Sequence, residues 1–157
     1  MKLLLLIIAL FLSACSIKNY EKTDAKIIII KSPQLKFADL GFIRNSGDAV
    51  GVELFTAGKS VKRIELNHLI CVDEGCMSKS TFNREYLNQY YPDGLLQNII
   101  LGHTIYHLKN RVKIRNGFEQ KIVDKNVNII YRVTDKIIYF KDKKNSILIK
   151  IKDVGHE

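Results

Sequence analysis

Over most of its length the chain alternates between apolar and polar residues in short segments. Such alternation is typical of β-strands that bury one face, because successive side chains of a strand point to opposite sides of the sheet. Asn, Asp, Gly and Ser separate the segments, which favours tight antiparallel connections. The pattern predicts a first group of five strands, at residues 26–31, 35–44, 49–56, 60–66 and 68–72.

In the middle of the chain the period of the apolar residues becomes helical. Phe82, Tyr86 and Tyr90 recur every four residues. Ser80 or Thr81 can cap the helix that carries this stripe, because a side-chain oxygen there accepts from a free N–H of the first turn. We therefore expect one helix over this stretch, ending where Tyr-Pro-Asp occupies residues 91–93.

A second helix is predicted directly afterwards. Gly102 is well placed to end it, since glycine readily adopts the left-handed conformation found after helix C-termini. The apolar residues that repeat at helical spacing in this segment are Leu95, Leu96, Ile99 and Ile100.

Alternation returns in the last third of the chain and predicts six more short strands. They cover residues 104–108, 112–115, 118–123, 127–134, 136–142 and 146–152. The fold class expected from this order is α+β, mainly β, with a curved antiparallel sheet or open barrel and helices from the middle of the chain. Two strands show the clearest inner sets, namely Val50, Val52 and Leu54 in one and Ile147, Ile149 and Ile151 in the other.

The first residues have the organisation of an export signal. Met1 and Lys2 precede an unbroken apolar run at residues 3–12, which is too short to span a bilayer as a stable helix. The sequence LSAC at residues 12–15 resembles a bacterial lipobox, in which the cysteine, here Cys15, is acylated and becomes the new N-terminus. An ordinary signal peptide followed by a chance cysteine is the alternative.

The residue after the lipobox predicts the membrane in which the protein resides. Ser16 rather than Asp follows the lipobox, which favours the outer membrane, on its periplasmic face. The acyl chains on Cys15 hold the protein there, since each buried CH₂ contributes about 0.8 kcal/mol. Together these features divide the chain into four predicted regions: a signal peptide (residues 1–14), a lipidated N-terminus and tether (15–25), a single domain (26–153) and a short tail (154–157).

The 157-residue chain carries a formal charge of +9, and the loss of residues 1–14 removes only Lys2, leaving +8. The basic residues of the last third, interleaved with Tyr and Phe, resemble an oligonucleotide-binding face. Export makes nucleic acid an unsuitable partner. Anionic lipid, lipopolysaccharide, an acidic partner protein or a general bias towards lysine all remain compatible with the charge.

Two cysteines remain after Cys15, and they fit an oxidising compartment. Cys71 and Cys76 bracket four residues that include a turn-forming glycine, a spacing that can close as a small disulfide loop. Free thiols are the alternative. A zinc site would require a second Cys pair, and thiol redox catalysis would require C-x-x-C spacing. The sequence has neither.

Candidate chemistry is otherwise sparse. His103 and His107 stand four apart, but on the predicted strand their rings would lie ~13 Å apart, too far for one metal. Asp73 and Glu74 lie in the cysteine loop and are expected to be solvated. No nucleophile elbow, phosphate-binding loop or dinucleotide motif is present. We therefore expect no enzyme activity, no cofactor and no metal.

The order of lipobox, polar tether, antiparallel strands, helical middle and closing strands resembles the LolA/LolB lipoprotein-carrier fold. Four segments also resemble a LolB-like family of bacterial lipoproteins. They are residues 51–63 (GVELFTAGKSVKR), 91–100 (YPDGLLQNII), 130–133 (IYRV) and 140–152 (FKDKKNSILIKIK).

This resemblance implies a half-open barrel whose concave face, covered by the helices, receives acyl chains of lipids or lipoproteins. The implied role is lipoprotein or lipid trafficking at the outer membrane. The candidate lining residues are Val50, Val52, Leu54, Phe82, Tyr86, Leu95, Leu96, Ile99, Ile100, Ile147, Ile149 and Ile151. The alternative is a structural or interaction lipoprotein, an accessory subunit of an envelope complex, in which the same residues form a filled core.

Overall fold

The computed structural model describes residues 22–47, 49–73 and 75–155. Two α-helices, α1 (Lys79–Tyr86) and α2 (Leu95–Leu101), and a 3₁₀ helix at Tyr106–Leu108 interrupt the strands. The strands of this part of the chain are β1 (Lys22–Lys31), β2 (Lys36–Asn45), β3 (Val50–Thr56), β4 (Lys59–Leu66), β5 (Ile70–Val72), β6 (Gly75–Met77), β7 (Arg111–Ile114), β8 (Gly117–Val123), β9 (Asn128–Thr134), β10 (Ile137–Asp142) and β11 (Ile147–Asp153).

All of these strands belong to one antiparallel sheet. Its order is β6-β5-β4-β3-β2-β1-β11-β10-β9-β8-β7, so the first and last strands pair at the centre. The edge strands β6 and β7 do not pair with each other, and the sheet is not closed. The prediction of a mainly β fold with antiparallel strands and a helical middle is confirmed.

One face of the sheet carries the core side chains, and we call it the inner face. The strand register aligns these side chains across neighbours: Val52 lies opposite Ile43 and Ile64. On the other half, Phe140 lies opposite Tyr131 and Ile149. The two inner sets read from the sequence both belong to this face, because Val50, Val52, Leu54, Ile147, Ile149 and Ile151 are all buried.

The first strand begins earlier than its composition predicts. Residues 22–25 were assigned to the polar tether, yet they pair with β2, with Lys22 opposite Asn45 and Ala25 opposite Phe42. Backbone pairing requires no apolar side chain, so a polar sequence can extend a strand wherever a long neighbour offers its N–H and C=O groups. The rest of the assigned tether, residues 15–21, lies outside the described residues.

The first helix is shorter and starts earlier than predicted. Its N-cap is Ser78, whose Oγ accepts from the Thr81 N–H at 3.1 Å, and not Ser80 or Thr81 itself. It ends at Tyr86, because the Asn88 side chain accepts from the Tyr90 N–H at 2.8 Å and forms a turn there. Tyr90 is consequently 55% exposed and does not continue the buried stripe.

The strand predicted at residues 104–108 is absent, and this interpretation was wrong. The segment is instead the 3₁₀ helix Tyr106–Leu108, with positive φ at all three of its residues and at Asn110. The cause is Gln120, whose buried side-chain amide bonds both the N–H and the C=O of Ile105 at 2.8 Å. A side chain thus takes the place of a strand partner, and β7 begins only at Arg111.

Candidate functional site

The structure brings six of the twelve predicted lining residues around one small space between the helices and the inner face. These six are Val52, Phe82, Leu96, Ile100, Ile149 and Ile151. Six further residues that the sequence interpretation missed complete the lining: Ile28, Ile30, Leu35, Ile43, Ile64 and Leu87. In the first predicted strand, strand alternation places Ile28 and Ile30 on one face. This pattern could have identified these two residues of the second set. We call the space lined by these twelve residues the apolar seam.

The other six predicted residues pack beside the apolar seam. Tyr86 is half-buried and stacks on Phe82, with ring centroids 4.8 Å apart. The remaining five are buried in the surrounding core without lining the seam: Val50, Leu54, Leu95, Ile99 and Ile147. The pair Leu95 and Leu96 therefore divides between core and seam, although the two residues are adjacent in sequence.

The apolar seam is narrow. Its volume is about 20 Å³ and its lining is wholly apolar. Sites that hold drug-sized ligands measure roughly 300–1,000 Å³. A space of about 20 Å³ exceeds only slightly the one-probe volume that admits a single water molecule. An acyl chain can therefore occupy the seam only if the helices and the sheet move apart.

On one flank of the helical segment, buried hydrogen bonds join it to the sheet, and the first involves Asp142. The Tyr91 hydroxyl, between α1 and α2, donates to the Asp142 carboxylate at the end of β10 at 2.8 Å. This carboxylate is fully buried and also accepts from the N–H groups of Asn128, Lys144 and Asn145 and from the Asn145 side-chain amide. Burial, reinforced by the neighbouring carboxylate, raises the pKa of Tyr91 above its ordinary value.

Two further anchors lie just after α2. The Tyr131 hydroxyl on β9 donates to the His103 carbonyl at 2.8 Å, and burial raises the pKa of Tyr131. Gln120 on β8 holds Ile105 as described above and also donates to the Lys109 carbonyl at 2.8 Å. Hydrogen bonds to Gln120, Tyr131 and Asp142 thus fasten the segment that contains α2 to β8, β9 and β10, which we call the anchored flank.

On the opposite flank the helices meet β1–β4 through apolar side chains. Phe82 and Leu87, in and directly after α1, line the seam together with Ile28, Ile43 and Ile64. The Asn83 side-chain amide bonds the carbonyl of Tyr91 and so ties α1 to the following loop. We call this side the apolar flank.

At one end the apolar seam adjoins a larger and charged cavity of about 290 Å³. Ile43, Ile100 and Ile151 line both spaces. The charged groups that line this second cavity are three lysines and three aspartates, Lys22, Lys26, Lys136, Asp24, Asp135 and Asp153, together with His103. We call it the charged mouth.

Four of the charged side chains of the mouth form two ion pairs. Lys22 Nζ lies 2.9 Å from the Asp24 carboxylate, and Lys26 Nζ bonds Asp153 across β1 and β11. Asp135 accepts from the Asn116 side-chain amide at 3.3 Å. Within the described part of the chain, the Lys136 ammonium has no carboxylate partner.

The outer face of the sheet holds one nearly buried carboxylate, Glu53, which is 7% exposed. Arg44 lies 2.8 Å from it and Arg63 3.3 Å, so the three residues join β2, β3 and β4. Burial raises the pKa of Glu53, but the hydrogen bonds from Arg63, Ser60 and Arg44 outweigh it and hold the pKa below its ordinary value. This pairing compensates the charge of the Glu53 carboxylate.

The cysteine loop contains the predicted disulfide. Cys71 and Cys76 are bonded to each other, with their Cα atoms 3.9 Å apart across β5 and β6. Asp73, within the loop, accepts from the Arg63 N–H at 3.0 Å and lies 3.2 Å from Lys62, and these groups lower its pKa. Glu74 and the predicted lipidation site Cys15 lie outside the described residues.

Nothing in residues 22–47, 49–73 and 75–155 gathers three or more His, Cys, Asp or Glu side chains with the geometry of a metal site. His103 and His107 occupy the loop and the 3₁₀ helix after α2, not a common strand face. No helix in the same ranges has the length and apolar character needed to span a membrane. A scan against protein-family models and a search of curated proteins each find no match to this chain.

Proposed function

We propose that this protein is a non-enzymatic, lipid-anchored protein of the bacterial outer membrane that binds acyl chains in the apolar seam. In this proposal the sheet is the half-open barrel of a LolB-like fold, and α1 and α2 cover its concave face. The protein takes part in lipoprotein or lipid trafficking on the periplasmic side of the membrane, to which Cys15 attaches it.

The observation that carries the proposal is the position of the apolar seam within an open sheet. In the described part of the chain six strands precede the two helices and five follow them, and residues of both helices line the seam together with residues of the inner face. The lining exposes no polar atom to the seam. An entering acyl chain therefore replaces apolar contacts between side chains with apolar contacts of its own. A hydrocarbon ligand has no polar group and therefore needs no hydrogen-bond partner from the protein.

The asymmetry of the helix–sheet contacts supplies a way to open the seam. Hydrogen bonds are directional and a buried polar atom left unpaired costs about 1–3 kcal/mol, so the anchored flank resists separation. Apolar contacts are not directional, and an inserted acyl chain restores the apolar surroundings of Phe82 and Leu87. We therefore place the opening on the apolar flank, with α1 moving away from β1–β4.

The second candidate is an interaction lipoprotein without a ligand cavity. The small volume of the seam favours it, because about 20 Å³ is what close-packed side chains leave between them. In that case the same twelve side chains form a permanent core, and the exposed surface docks to an envelope complex.

Native mass spectrometry separates the two candidates. Residues 15–157 with Cys15→Ser are placed behind a cleavable secretory signal peptide that replaces residues 1–14, exported in the native host and purified without detergent. The carrier proposal expects a bound species with the mass of a lipid or acylated peptide, lost when Leu96 is replaced by Lys. Protein that carries no lipid, and that also fails to bind the uncharged probe N-phenyl-1-naphthylamine, would leave the interaction lipoprotein as the better description.

A further inference from the structure

The charged mouth contains a mixture of charges that an acyl chain alone does not require. Three ammonium groups and three carboxylates line one cavity of about 290 Å³, so its formal charge is zero with His103 neutral. An uncharged ligand leaves Lys136 and Asp135 to water, and a purely anionic one meets the carboxylates as well as the lysines. A ligand group that carries both signs satisfies both sets.

The charged mouth and the apolar seam form one amphiphilic site. The side chains of Ile43, Ile100 and Ile151 belong to the walls of both, so the boundary that the two spaces share contains hydrocarbon. A ligand with a hydrocarbon chain in the seam therefore places the group at the end of that chain among the lysines and aspartates.

Within the mouth, the turn between β9 and β10 offers the most accessible pair of opposite charges. Asp135 and Lys136 are consecutive and exposed, whereas Lys22 with Asp24, and Lys26 with Asp153, already satisfy each other. Among the described residues the Lys136 ammonium has no carboxylate partner and can donate to a phosphate, and the Asp135 carboxylate has acceptor capacity beyond the bond that it accepts from Asn116. Two consecutive residues of one turn thus supply a donor group and an acceptor group to the lining of the mouth.

The position of the mouth brings it close to a lipid surface. Lys22 lines it and is seven residues from Cys15. Seven residues span at most about 25 Å even when fully extended. If Cys15 carries the anchor, the mouth lies within that distance of the membrane that holds the protein.

We propose that the charged mouth binds the zwitterionic head group of a phospholipid of the phosphoethanolamine type, while an acyl chain of the same molecule occupies the apolar seam. Lys136 donates to the phosphate, and Asp135 accepts from the ammonium. This inference rests on the proposed acyl binding and names the class of lipid that the site takes.

A competition assay on residues 15–157 with Cys15→Ser tests the inference. N-phenyl-1-naphthylamine reports occupancy of the seam, and three competitors share one 16-carbon chain: lysophosphatidylethanolamine, lysophosphatidylglycerol and monoacylglycerol. We expect the zwitterionic lysolipid to compete roughly tenfold better than the uncharged one, the size of one hydrogen bond to a charged group. Free phosphoethanolamine, which lacks the chain, should not compete.

Two matched substitutions assign the preference to the mouth. Lys136→Glu should bring the affinity ratio of lysophosphatidylethanolamine to monoacylglycerol close to one. Lys143→Glu makes the same charge change on an exposed residue at the opposite end of β10 and should leave the ratio as in the parent chain.

Three results would overturn the inference. Equal competition by the zwitterionic and uncharged lipids would show that the mouth does not distinguish between head groups. The proposed acyl binding would still stand. Tightest binding of the anionic lysolipid, weakened equally by Lys136→Glu and Lys143→Glu, would assign the effect to the overall positive charge. Failure of the probe and of every competitor to bind would remove the proposed function itself along with the inference.

Discussion

The two flanks of the helical segment are held to the same sheet by different physical means. On the anchored flank, Gln120, Tyr131 and Asp142 make buried hydrogen bonds to the segment between α1 and β7. On the apolar flank, Phe82 and Leu87 face the isoleucines of β1, β2 and β4. Both interfaces are buried, but only the first depends on fixed directions between donor and acceptor.

This difference indicates which flank can move. Separation of the anchored flank leaves a buried carboxylate and several backbone groups without partners, whereas separation of the apolar flank exposes hydrocarbon that a lipid chain can cover. We therefore infer that α2 stays fixed to the sheet while α1 moves.

Charge introduced at two adjacent positions should distinguish core from seam. Leu95→Lys places an ammonium in the filled core and should cost several kcal/mol, enough to unfold the domain. Leu96→Lys places the ammonium in the apolar seam, where movement of α1 gives it access to water. This substitution should therefore lower the free energy of unfolding less than Leu95→Lys does, while it abolishes probe binding. Thermal melts and N-phenyl-1-naphthylamine titrations measure the two effects. Equal loss of stability in both variants would indicate that the seam is ordinary core.

Removal of the central anchor should have the next largest effect. Asp142→Ala deletes the acceptor shared by Tyr91, Asn128, Lys144 and Asn145, and should lower the free energy of unfolding by about 3–5 kcal/mol. Urea unfolding measures this loss.

The control for this substitution is Asp135→Ala, which removes an exposed carboxylate at the other end of the strand pair and should cost no more than about 0.5 kcal/mol. A loss below about 1 kcal/mol for Asp142→Ala would contradict the role of the anchored flank.

The tyrosine of this anchor should also make stability fall at alkaline pH. Because burial and Asp142 raise the pKa of Tyr91 in the folded state, its contribution is complete below pH ~10, the ordinary tyrosine pKa, and is lost as pH rises above it. At pH 7, Tyr91→Phe should cost about 1–2 kcal/mol through the missing hydrogen bond. Between pH 10 and pH 11 the difference in free energy of unfolding between the two proteins should narrow by up to about 1 kcal/mol. Unfolding curves that stay parallel over this range would show that Tyr91 does not couple to stability in this way.

The sequence contained enough information for most elements of the fold. Alternation placed both halves of the sheet, helical spacing placed α1 and α2, and Gly102 ends α2 in the left-handed conformation expected of it. These features are local, because each depends on the side chains of one segment and on one buried face. The Cys71–Cys76 pair was equally local.

The anchors were not predicted, although the sequence holds a signal for them. Gln120 stands between Phe118 and Ile122, and Asp142 follows Phe140 by two residues, so both polar side chains occupy inner-face positions of their strands. A polar residue in an apolar alternation needs a buried partner. The partners lie in other elements, however, and no local pattern identifies Ile105 or Tyr91 as one of them.

The charged mouth was beyond the reach of sequence analysis for a related reason. Its residues come from β1, β2, the end of α2 and the loop after it, the β9–β10 hairpin and β11, which meet only because β1 and β11 pair at the centre of the sheet. In the sequence, Lys22 and Asp24 belong to a polar stretch that composition assigns to a tether. Only the extension of β1 brings them to the end of the seam.

Distances between pairs of spin labels test the central claim most directly. One pair reports the apolar flank, with labels at the exposed residues Glu85 on α1 and Ile27 on β1. The other reports the anchored flank, with labels at the exposed residues Asp93, near Tyr91, and Val123 on β8. Both are measured on the mature chain with Cys15→Ser and the native disulfide, before and after addition of lysophosphatidylethanolamine. The account predicts that the Glu85–Ile27 distance lengthens while the Asp93–Val123 distance stays constant. Bound lipid with no change in the first distance, or with an equal change in both, would contradict it.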